Sequence, residues 1–111
     1  MVDWDRVCEL RGEVGEEDFL EVVEIFLEEV EEVITRMRQS PDPNSYEADL
    51  HFLKGSALNL GFKALSDACS AGEKAARDGQ AESVDIQNIL SIYEMSMAEF
   101  LAGSAQRNFA A

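Results

Sequence analysis

Basic residues are scarce in this chain. Nine lysines and arginines stand against 23 aspartates and glutamates, a net charge of −14 over 111 residues. Phosphate backbones and anionic bilayers are held by lysine and arginine clusters, so this balance argues against nucleic acid and membrane surfaces as partners. Cysteine is equally sparse. Cys8 and Cys69 lie 61 positions apart, and with a single histidine and no Cys-x-x-Cys there is no structural zinc pattern. A disulfide between them can be drawn, but two small apolar thiols in a reduced cytosol fit better, and Cys69 falls on an apolar helix stripe. One histidine without inward carboxylate pairs cannot build a di-metal site, so no metal is expected. There is no Gly-rich nucleotide loop, so neither ATP hydrolysis nor kinase activity of its own is expected. No apolar run approaches the roughly 20 residues needed to span a bilayer. Met1–Arg6 lacks the basic start and apolar core of a signal peptide, so the expected location is the cytoplasm. Internal repeats and alternating runs long enough for a sheet are also missing.

What remains is helical. Hydrophobic content of 46% is that of a globular protein, and the length suits one domain, residues 1–111, with a four-helix core. Asp3 is placed to cap a short helix over about 4–11, with Gly12 as its stop and Trp4, Val7 and Leu10 as anchors across a bundle end. Over about 16–39, Phe19, Val22, Val23, Phe26, Val30, Val33, Ile34 and Met37 recur at helical spacing, widened by Leu20 and Leu27. Ten acids and no base fall between Gly12 and Thr35, which is either a docking surface for a basic partner or a solvated face. Pro41 and Pro43 break the pattern. A third helix covers about 44–60, closed by Gly61. A fourth, about 64–78, carries the small-residue stripe Leu65, Ala68, Cys69, Gly72, Ala75 and Ala76. Ser83 is placed to cap the last helix, about 84–102, with Gly103 beyond and a frayed tail over 104–111. Short loops between four long amphipathic helices predict an all-α fold, an antiparallel up-down-up-down four-helix bundle with a short extra N-terminal helix.

The third helix carries the chemistry. At 100° per residue Tyr46, Leu50, Leu53, Ala57 and Leu60 share one side, while His51, Lys54, Gly55 and Leu58 share the other. His51 therefore faces outward. Gly55, one turn later on that face, costs about 1 kcal/mol relative to alanine inside a helix. Its lack of a β-carbon lets another molecule come close to the imidazole.

The gapless run His51-x-Leu53-Lys54-Gly55-Ser56-Ala57-x-x-Leu60-Gly61 resembles the signature of histidine-containing phosphotransfer (HPt) domains of two-component phosphorelays. The resemblance implies the same four-helix architecture. It also implies that His51 accepts a phosphoryl group from a phospho-aspartyl receiver domain and passes it to another receiver aspartate. Partners are then response-regulator receiver domains and a hybrid sensor kinase. No cofactor is expected on this chain, and Mg²⁺ is expected on the partner receiver. Imidazole suits both halves of such a relay, because much of it is neutral near pH 7 and it needs no general base. A phosphoryl group adds a charge near −2 to an already acidic protein. Lys54, at i+3, is the cation in reach of its oxygens. Leu58, apolar on the exposed face, reads as part of a receiver-docking patch together with Phe52 and Phe62.

Glu73 aligns with a position where HPt proteins often carry a polar residue near the histidine. It either orients the imidazole through a hydrogen bond or is an exposed glutamate at the edge of its stripe. Glu47, four residues before His51, poses the same choice. An alternative function is a helical adaptor or kinase inhibitor that docks without carrying phosphate, but such a protein gains nothing from His51, Lys54 and Gly55 together. The opening methionine and near-complete bundle favour a free-standing protein over a detached kinase module. With no spare apolar stripe, a monomer is expected.

Overall fold

A computed structural model describes residues 1–107 and 109. Among the described residues five α-helices follow one another: α1 (Trp4–Val14), α2 (Phe19–Gln39), α3 (Tyr46–Leu60), α4 (Lys63–Arg77) and α5 (Ile86–Gln106). Among the described residues there is no strand, and only Val2 and Phe62 form an isolated antiparallel bridge. Helices α2 to α5 make the antiparallel four-helix bundle and α1 is the extra N-terminal helix; the whole is an elongated body of 44 × 23 × 19 Å. None of the described helices is long and apolar enough to cross a membrane.

Helix ends follow local chemistry, in places differently from the sequence reading. Asp3 caps α1, its carboxylate accepting from the amides of Asp5 and Arg6 at 3.1 and 3.3 Å. The helix passes through Gly12 and stops at Gly15, which has φ +89°. Glycine weakens a helix interior without ending it, and half-buried Val14 packs on the core beyond it. Helix α2 begins at Phe19 instead of near Glu16, because residues 16–18 form a turn. Pro43–Ser45 make a 3-10 turn capped by Asp42, so α3 opens at Tyr46. Gly61 ends α3 in the left-handed region, φ +80°, and its amide bonds back to Ala57 and Leu58. Ser83 does not cap the last helix. Its hydroxyl donates to the Gln80 carbonyl inside a second 3-10 turn, and Asp85 caps α5 by accepting from the Asn88 amide at 3.0 Å. Helix α5 then runs through Gly103 to Gln106.

The frayed tail is also corrected in part. Gly103 packs so closely on the Trp4 indole that a β-carbon there would collide with it. Trp4 stacks on Phe100 with centroids 5.9 Å apart, Phe109 sits edge-on to Phe19, and Arg11 and Arg107 lie over the rings of Phe109 and Trp4. Burial of these rings holds the end of α5 in place. The same expectation for residues 108, 110 and 111 lies outside the described residues.

Two close approaches set the platform for α3. Gly72 of α4 faces Leu50, where a β-carbon would stand 2.8 Å from the leucine methyl. The small-residue stripe thus brings α4 directly against α3, and Cys69 on that stripe is fully buried. At the far end of α3 the N-terminal segment clasps the turn: Asp3 N–H donates to the Gly61 carbonyl at 2.6 Å and Ala64 N–H to the Met1 carbonyl at 3.3 Å. On the opposite flank Arg36 of α2 makes a two-pronged bond to Asp49 of α3, both distances 2.8 Å, while the Tyr93 hydroxyl of α5 donates to Glu31 of α2. All ten acids between Gly12 and Thr35 are exposed, and Glu13 and Glu16 pair with Arg6 and Arg11.

Candidate functional site

The buried side of α3, Tyr46, Leu50, Leu53, Ala57 and Leu60, locks the helix into the core. The opposite side therefore has to face outward, and the His51 side chain is 70% exposed. It stands at the edge of the α3–α4 seam, in a recess lined by Asn44, Glu47, Ala48 and Glu73.

Glu73 of α4 is 4% exposed and receives three donors. His51 Nδ1 lies 2.8 Å from its Oε2, Lys54 Nζ 2.7 Å from its Oε1, and Arg77 Nη2 3.0 Å from Oε2. The Lys54 ammonium holds the carboxyl down to about 2, against the opposing effect of burial and with further help from His51. Glu73 is thus an ionised carboxylate that can only accept hydrogen bonds. In the neutral ring the proton consequently sits on Nδ1, and the lone pair of Nε2 points away from the protein. Of the two readings that the sequence left open for Glu73, the exposed-edge one is overturned. The seam that Gly72 draws tight also buries its neighbour.

Lys54 is on the same side as His51 and partly covered, its ammonium engaged by Glu73. A lysine has three N–H donors, so one bond to Glu73 leaves others for a second oxygen. Gly55 has open space where a β-carbon would be, with no neighbouring atom within 4 Å. Nothing inside the protein requires glycine there. Leu58 and Phe52 are exposed at 57% and 36%. Phe62 is not available as a surface residue. It is 1% exposed and packs edge-on against Phe100 with centroids 5.6 Å apart. It sits one residue past the helix-ending Gly61, where the reversing chain turns inward, so the helical phase of α3 no longer predicts its direction. Glu47 is exposed and lines the recess, but among the described residues it makes no hydrogen bond to the imidazole.

Sequence reasoning missed Arg77, whose guanidinium shares Glu73 Oε2 with His51. The signal was present: Glu73 lies four residues after Cys69 on the apolar stripe, and Arg77 lies four after Glu73, within ion-pair reach on one helix face. The burial of Cys69, followed by the charge of Glu73, pushes the Cys69 thiol up to about 12, leaving a neutral packing group without reactivity. Among the described residues no group of His, Cys, Asp and Glu side chains is arranged to hold a metal ion.

The family model described as Hpt domain matches residues 21–103, well over half of the chain. It spans α2 to the end region of α5 and includes His51, Lys54, Gly55, Glu73 and Arg77. No curated protein and no solved structure is a significant match.

Proposed function

The chain belongs to the Hpt domain family, whose members carry phosphoryl groups on histidine in phosphorelays and dock on receiver domains of response regulators, and from that premise we propose that His51 is its phospho-acceptor. His51 takes the phosphoryl group from a phospho-aspartyl receiver and hands it to the aspartate of another. The Nε2 lone pair attacks phosphorus; the N–P bond forms as the P–O bond to the aspartyl oxygen breaks, and the receiver carboxylate departs with the electron pair. The observation that carries this reading is the pairing of a mostly exposed ring with a carboxylate on Nδ1 alone. Such a ring is oriented without being shielded.

Lys54 holds the phosphoryl oxygens while it stays tethered to Glu73, and Gly55 leaves bare backbone where the receiver approaches. Leu58 and Phe52 form the apolar part of the docking face. In this reading the chain works as a monomer in the cytoplasm, without a cofactor or a catalytic activity of its own. The upstream donor is the receiver of a hybrid sensor kinase, and Mg²⁺ is supplied by the partner receiver. The test is transfer from phosphorylated receivers of the source organism. The wild-type chain should acquire acid-labile, base-stable label, and His51→Gln should acquire none while keeping its helical circular dichroism. Label retained on His51→Gln would refute the assignment.

A further inference from the structure

Glu73 does more in this arrangement than orient a ring. A neutral amide could orient it equally well, yet the residue is a charged carboxylate, buried, with Lys54 and Arg77 committed to keeping it ionised. The groups facing His51 are Glu47 and Lys54 from its own helix, Asn44 from the preceding turn, and Glu73 and Arg77 from α4. Of the carboxylates among them, only Glu73 is bonded to the imidazole.

The chemistry of the outgoing step gives that charge a use. When Nε2 carries phosphate, the second ring nitrogen decides what kind of leaving group the ring is. With a proton on Nδ1, an attacking aspartate oxygen forms its bond to phosphorus as the P–Nε2 bond breaks. The electron pair returns to Nε2, and neutral imidazole departs. Without that proton the ring has to leave as an imidazolide anion, a far poorer leaving group. A full negative charge 2.8 Å from Nδ1 favours the protonated ring. Resting on the reading of His51 as phospho-acceptor, we propose that Glu73 is a positioning residue that keeps Nδ1 protonated in phospho-His51, so that the phosphoryl group is held as a ready donor and not as a stable store.

The experiment uses phosphoramidate as a small phosphodonor, which removes receiver docking from the measurement. The full-length wild type and Glu73→Gln are phosphorylated, and the decay of phospho-His51 is followed in mildly alkaline buffer. Glutamine still offers an oxygen to Nδ1–H but no charge. The half-life should lengthen at least about tenfold in Glu73→Gln. Nitrogen-15 shifts of the phosphorylated wild-type ring, a readout that needs no variant and that a purely structural role would not move, should show Nδ1 protonated in the same buffer. Equal half-lives in the two folded proteins, or an unprotonated Nδ1 in the wild type, overturn the inference while leaving His51 as the acceptor. A wild-type chain that takes no label on His51 overturns that reading and this one together.

Discussion

Replacing Gly55 with alanine should make this protein more stable and a poorer phosphotransfer partner at once. The position lies in the interior of α3, where glycine costs about 1 kcal/mol relative to alanine through the freedom it loses on folding. Usually some internal contact explains a helical glycine, and in this molecule Gly72 supplies the contrast. An added methyl at Gly72 would stand 2.8 Å from a Leu50 methyl that is itself fully buried, with Val84 and Ile89 closing the other sides. At Gly55 the same methyl meets no atom within 4 Å. Gly55→Ala should therefore gain about 0.5–1 kcal/mol in urea unfolding, a rise in Tm of about 2–4 °C for a domain of this size. Gly72→Ala should lose about 1–3 kcal/mol from overpacking, partly offset by the same helix gain. If the receiver approaches over bare backbone, Gly55→Ala weakens its binding modestly. Gly55→Gln, with a longer side chain one turn from His51, should weaken it at least about tenfold, or about 1.4 kcal/mol. Urea titration and receiver binding on the same samples check both arms. A destabilised Gly55→Ala would mean that the glycine serves the fold, and unchanged binding of Gly55→Gln would mean that the partner lands elsewhere.

Three further expectations follow from the same geometry. The Glu73 carboxyl is ordinary in the unfolded chain and lies near 2 when folded, so its stabilising effect is fully present above pH about 4.5 and fades as the pH falls through about 2. Urea unfolding across that window should show the gap between wild type and Glu73→Gln closing at the acid end, and a gap that stays constant would refute the ion network. Phe62→Ala should cost about 3–5 kcal/mol by opening a cavity beside Phe100, whereas Leu58→Ala should leave stability within about 0.5 kcal/mol and reduce receiver binding; calorimetry and a binding titration separate the two. A thiol reagent should modify exposed Cys8 in the native protein and spare Cys69 until unfolding, as mass spectrometry of the labelled peptides would register.

The all-α class and the outward direction of His51 were legible in the chain because both are consequences of a single period, 3.6 residues per turn. Leu50, Leu53, Ala57 and Leu60 claim the inside of one helix, so His51, Lys54, Gly55 and Leu58 have no other place to go. Periodicity speaks only within one helix, and the misjudged residues lie mostly where that rule stops; the exception is Leu20, read into the buried stripe of α2 but 38% exposed at the first turn of the helix. The end of α1 at Gly15 and the cap at Asp85 depend on which of two nearby candidates the neighbouring chain rewards. Phe62 turns inward because the left-handed Gly61 resets the helical phase. Glu73 and Arg77 meet His51 only because Gly72 lets α4 close on α3, a distance set by packing between helices and not by either helix alone. The outward-facing histidine was thus written into the local sequence, while the buried charge bonded to its Nδ1 exists only once two helices touch.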